Sequence, residues 1–184
     1  MIEALRVGLA DRASSGRLAR TLREHGFSGD DDRLRAVAEE ISGFVVATPD
    51  RISALMHLTR DGHHGRAVAF GLAQILVYVV DEHDLVSDAP EGGAGLLDDA
   101  YLVFRFLEDV CRAYPAGRKH AETLLGQDTA ALIARLLPDG VGPALDRMSE
   151  RLLLVGASLF QTGGGTVPSS DEVPAASLRM DCLS

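Results

Sequence analysis

The chain has 184 residues, with 18 Lys and Arg against 27 Asp and Glu and a formal net charge of −9. That length accommodates one domain with its own core, and the acidity excludes a general nucleic-acid binder and disfavours anionic membrane surfaces, since both would repel it. Trp is absent and aromatic residues make up 5%, so the core must be aliphatic, which favours helix over sheet.

In chain order, Leu5, Leu9, Leu18 and Leu22 recur at helical spacing, with a break near Ser14 to Gly16. Arg17, Arg20 and Arg23 form a basic edge that a solvated helix face explains. Asp30, Asp31 and Asp32 open a second helix through about Ala47, where acids complement the helix dipole. Thr48 is the expected N-cap of a third helix, with Pro49 in its first turn. Asp61-Gly62 ends it, and His63-His64-Gly65 leads into an apolar helix over 66–80. Residues 67–80 form a run of fourteen with Gln74 as the polar exception. This falls short of the ~20 residues that span a bilayer, and predicts a central helix buried on most of its circumference. Further helices are expected over about 96–113, 117–137 and 143–161. On the last, Leu145, Met148, Leu152, Val155 and Leu159 would form one apolar stripe. The predicted architecture is all-α: one multi-helix, bundle-like domain over residues 1–161, followed by a flexible Gly/Ser/Pro-rich tail over 162–184.

Chemistry concentrates in residues 78–101, YVVDEHDLVSDAPEGGAGLLDDAY. Asp81, Asp84, Asp88, Asp98 and Asp99 bracket a Pro/Gly loop between apolar segments. Local structure accounts for these acids. Asp84 can cap a turn, Asp88 can form an Asx-turn before Pro90, and Asp98 and Asp99 can sit at a helix start. Arg66 or Arg105 could pair with one of them. The alternative is a divalent cation held by Asp84, Asp88, Asp98 and Asp99, since Mg²⁺ and Ca²⁺ take convergent oxygens. The ligand order of an EF-hand is missing, so neither a bound metal nor a cofactor is expected. His57, Asp61 and His64 would share a face only on an unbroken helix, and Gly62 interrupts it. Cys111 and Cys182, one in a helix and one in the tail, make neither a disulfide framework nor a thiolate zinc site and fit a reducing cytoplasm. Gly92-Gly93-Ala94-Gly95 lacks the Lys and Ser/Thr of a phosphate loop, and no nucleophile elbow is present.

The pair Asp84-Leu85-Val86-Ser87-Asp88 and Gly95-Leu96-Leu97-Asp98-Asp99 resembles the YkvA-like family, a domain of unknown function, over about residues 67–106. The chain departs from that pattern at Glu82 and Ser87, where the family carries Pro. The resemblance implies a small helical protein, often membrane-associated, with no established catalytic activity. The residues themselves favour a non-enzymatic cytoplasmic interaction or adaptor protein with an unidentified protein partner. A metal-dependent enzyme or sensor built on the aspartates is the second expectation, and a membrane-associated helical protein the third.

Overall fold

A computed structural model describes residues 13–24, 27, 29–60, 62–80, 94–115, 119, 121–125 and 127–161. Among them are seven α-helices and no strand: α1 (Ser15–Glu24), α2 (Asp31–Val46), α3 (Thr48–Leu58), α4 (Gly62–Val80), α5 (Ala94–Ala113), α6 (Gln127–Leu136) and α7 (Val141–Gln161). The all-α expectation is met. The segment 162–184, with Leu5 and Leu9, lies outside the described residues.

Local sequence sets several boundaries as expected. Asp30 caps α2, its side chain accepting from the Arg33 backbone N–H at 2.8 Å. Pro49 stands in the first turn of α3, although Thr48 is already helical and Ala47 occupies the cap position without a side-chain hydrogen bond. The α6–α7 turn uses Pro138-Asp139-Gly140, and Gly140 takes the left-handed φ of 84° that glycine adopts without strain. The helix expected over 117–137 is shorter: a 3₁₀ turn at Glu122–Leu124 precedes α6, which begins at Gln127 just after Gly126, with Asp128 in its first turn.

The central helix is α5, and α4 is peripheral. Every residue from Leu96 to Phe104 is buried, and Phe106, Leu107, Val110 and Cys111 continue the core. Gly71 of α4 lies against Phe106, and Tyr78 of α4 reaches Asp98, so α4 and α5 run antiparallel. α7 meets α5 in parallel, Asp146 beside Tyr101 and Ser149 beside Asp109. α4 is therefore antiparallel to α7, and Gly156 brings α7 close to Ala67.

The expected burial of the apolar run 67–80 holds for one side. Val68, Leu72 and Ile75 are buried, whereas Ala69, Ala73, Leu76 and Val77 are exposed. α3, α5 and α7 cover only the inner arc of α4. α7 is likewise rotated from its expected stripe: Leu145, Ser149, Leu153 and Gly156 face inward, and Val155 and Leu159 face outward. Gly156 and Ser149 permit a closer approach at the interface than larger side chains would.

Arg51 ties the α2–α3 corner to the rest of the fold. It is 3% exposed, and its Nη1 donates to the Phe44 carbonyl at 2.6 Å and its Nε to the Leu124 carbonyl at 3.1 Å. The guanidinium lies 3.9 Å from the Phe44 ring centroid. Burial lowers its pKa to about 10 against the opposing pull of Asp50.

Candidate functional site

Of the five acidic-loop aspartates, Asp81, Asp84 and Asp88 lie outside the described residues. Asp98 and Asp99 are not helix-start residues. α5 begins at Ala94, which places both in its second turn, where they are buried. Asp98 is 0% exposed and its Oδ2 accepts from the Tyr78 hydroxyl at 2.8 Å. The bond joins the end of α4 to the start of α5. Arg66 and Arg105 do not take the pairing proposed for them: Arg66 is exposed on the outer side of α4, and Arg105 serves a different acid cluster. Among the described residues no group of three or more His, Cys, Asp or Glu is arranged to hold a metal ion.

His57 is exposed on α3, while His64 on α4 stacks at 4.2 Å between ring centroids on Tyr114. The chain leaves helix between Leu58 and Gly62, so no common face forms, and Asp61 is outside the described residues. Cys111 is buried in the core, as its apolar neighbours in sequence led one to expect.

Among the described residues, the largest polar assembly is a seam between α5 and α7 that sequence reasoning missed. Arg105 pairs with Glu108 and lies 2.7 Å through Nε from Asp146 Oδ1 and 3.8 Å through Nη2 from Asp109. The Nε–H does not aim at Asp146 well enough to count as a hydrogen bond, so that contact is ionic. Arg112 reaches Asp109 at 3.0 Å and Glu108 at 3.4 Å. The Tyr101 hydroxyl donates to Asp146 at 3.0 Å, and Ser149 Oγ donates to Asp109 Oδ2 at 2.6 Å. The available signal was the spacing of Asp98, Tyr101, Arg105, Asp109 and Arg112, which recur every three or four residues along α5.

Burial and the Asp146 carboxylate push the Tyr101 phenol up to about 12. Arg105 is held above its ordinary value, the pull of Asp146, Glu108 and Asp109 outweighing its own desolvation. Ser149 and a carboxylate sit together, but Ser149 is fully buried and no histidine joins the pair. The arrangement therefore does not assemble a nucleophile with its base. It fixes the register of α5 against α7.

The second feature is an apolar surface on the outer side of α4 and α7. Helical residues advance about 100° each. α7 turns Ser149 and Asp146 to α5 and Gly156 to Ala67 of α4. Leu152, Val155 and Leu159 follow on the side of Gly156 that points away from α5. On α4, Gly71 and Tyr78 face α5, while Phe70, Gln74 and Val77 lie past Ala67 on the far side. The two edges flank the contact of α4 with α7, Val155 and Leu159 near the start of α4, where Gly156 meets Ala67, and Val77 near its end. Val77 is 60% exposed and Leu159 52%, while Phe70 and Leu152 are partly buried. No described helix is long and apolar enough to cross a membrane.

No family model, curated protein or solved structure matches the chain.

Proposed function

We propose that the chain is a non-enzymatic interaction protein that holds a protein partner on the outer side of α4 and α7. The carrying observation is the exposure of Val155 and Leu159 one turn apart on α7, with Val77 exposed farther along the same side of the molecule on α4. Contiguous exposed apolar surface on a soluble fold marks an interaction site more often than single exposed residues do. The seam between α5 and α7 supports this reading by holding the two helices in one register. We place the activity in the cytoplasm, where the thiol of Cys111 stays reduced. The YkvA-like resemblance of residues 67–106 belongs to the same proposal and adds no catalytic role.

The test is capture with the full chain as bait against Val77→Glu and Leu159→Glu. Both positions are exposed, so the variants should keep the wild-type melting midpoint. A partner retained by the wild type and lost by both variants supports the reading. Identical capture by all three would remove this side as the partner surface.

A further inference from the structure

Exposed apolar residues stand at both ends of one side of α4: Val155 and Leu159 of α7 near its start, and Val77 near its end. Between them the outer face of α4 exposes Ala69, Ala73 and Leu76. α4 is the one described helix without an Asp or Glu, and beyond Arg66 it carries no charge. A chain of net charge −9 repels its own copies. Every other described helix would bring carboxylates to a contact between copies, where like charges oppose each other. α4 brings none.

The outer face also complements itself. A twofold contact pairs each patch with a different patch of the same surface on the second copy. For two antiparallel α4 helices with the axis at Ala73, residues before Ala73 in one copy stand level with residues equally far after it in the other, on the same flank. Residues seven apart share a flank, so Ala69 and Leu76 line one side of Ala73, and Phe70 and Val77 the other. Leu76, three steps after Ala73, then lies over the small Ala69 of the second copy. Val77 lies over the half-buried Phe70. Val155 stands on the Phe70 flank, next to Gly156 at the level of Ala67. The axis carries it to the Val77 of the second copy, so the two separated ends of the apolar side meet. The Arg66 residues fall at opposite ends, about 21 Å apart along the helices, well beyond the Debye length of about 8 Å.

We propose that a second copy of this chain occupies the surface, packed antiparallel through α4 about a twofold axis at Ala73. This rests on the reading of the outer side of α4 and α7 as an interaction surface, and names its partner. A contact made by one helix face and one edge of α7 belongs to the small end of specific interfaces, so the dimer grows with concentration.

Disulfide trapping reads the axis directly, because a residue on a twofold axis meets itself. Ala73→Cys is placed in a Cys182→Ser background, with Cys111 buried in the core. The control is Glu39→Cys in the same background, on the exposed face of α2. Under mild oxidation at equal concentration, Ala73→Cys should give the linked dimer at least about tenfold faster than the control, since the contact holds its thiols at millimolar effective concentration. Adding Val77→Glu buries a charge in the contact and should bring the rate down to that of the control. Light scattering on the reduced wild type should show the mass rising toward two copies with concentration, and Val77→Glu and Val155→Glu should each hold it at one. Equal trapping rates at the outset, or a single-copy mass up to about 0.5 mM, would overturn the proposal. If capture of another protein were still lost in Val77→Glu and Leu159→Glu, that result would remove the second copy and keep the interaction surface. A dimer that persisted in Val77→Glu would place the contact elsewhere and overturn the proposal, and capture unchanged in the same variant would remove the interaction surface with it.

Discussion

Tyr101 concentrates in one side chain the forces that hold α5 to α7. Its hydroxyl donates to Asp146, and burial beside that carboxylate raises its pKa from 10.0 to about 12. Between those values the unfolded chain has lost the phenolic proton and the folded chain has kept it. The folded state then binds more protons, so stability is fully present below pH 10 and falls as pH rises toward 12. Spectrophotometric titration should show the Tyr101 phenol ionising late. Tyr101→Phe should remove that late phase and flatten the alkaline loss of stability; a late phase surviving in this variant would assign it elsewhere. Ser149 offers a second probe. Its Oγ is fully buried against Asp109, which is 4% exposed. Ser149→Ala withdraws a donor from a buried carboxylate, and chemical denaturation should register a loss of about 1–3 kcal/mol. A loss below about 0.5 kcal/mol would show that Arg112 and Arg105 satisfy Asp109 without it.

At the scale of elements, the contact between α4 and α7 depends on having no side chain at one point. A Cβ at Gly156 would stand 2.7 Å from the Ala67 carbonyl oxygen, a backbone atom that cannot swing aside. Gly156→Ala gains up to about 1 kcal/mol in helix propensity, yet forcing the helices apart costs about 1–3 kcal/mol. The expected net result is destabilisation, read as a lower midpoint in urea, and a stabilised variant would mean that the two helices separate freely. Leu76 gives the opposite case. The sequence places it in a core helix, where truncation would cost about 2–5 kcal/mol. At 38% exposure it leaves no closed cavity, and Leu76→Ala should cost about 1 kcal/mol or less. What could be read from the chain follows from this contrast. Boundaries set by local chemistry, such as Asp30 at α2 and Gly140 after α6, were legible. Facing was not. Residues 67–80 of α4 are apolar but for Gln74, so the sequence cannot say which arc the neighbours cover. On α7, the residues that approach α5 and α4 most closely are Ser149 and Gly156, neither of which registers as apolar periodicity. Asp98 was misplaced for a related reason: an acid after a Gly-rich loop reads as a helix start, and only the structure shows Tyr78 meeting it inside.

For the whole molecule, the open contest is between a surface that binds a protein and an acidic loop that binds a cation. The two acids of this stretch that are described, Asp98 and Asp99, face the interior. Asp98 accepts from Tyr78, and Asp99 is 8% exposed in the second turn of α5. A Ca²⁺ site takes about six to eight oxygens at one point, and Mg²⁺ an octahedral set that includes several waters. A buried carboxylate engaged by the Tyr78 phenol would have to exchange that bond for the ion. The expectation is that millimolar Mg²⁺, Ca²⁺ or Mn²⁺ shifts the thermal midpoint only slightly. A cation that bound the folded state alone at a hundredfold excess over its Kd would add about 2.7 kcal/mol, a shift of several degrees in a domain of this size. Calorimetric titration separates the cases. A one-to-one isotherm, abolished by the Asp84→Asn, Asp88→Asn double substitution, would establish the loop as a metal site. Tyr78→Phe then adds a further distinction. It removes the donor to Asp98 without touching the loop. If the hydrogen bond with Asp98 is structural, the variant loses stability equally with and without cation. If Asp98 ligates a metal, the loss shrinks as the cation is added, because the freed carboxylate gains a second partner.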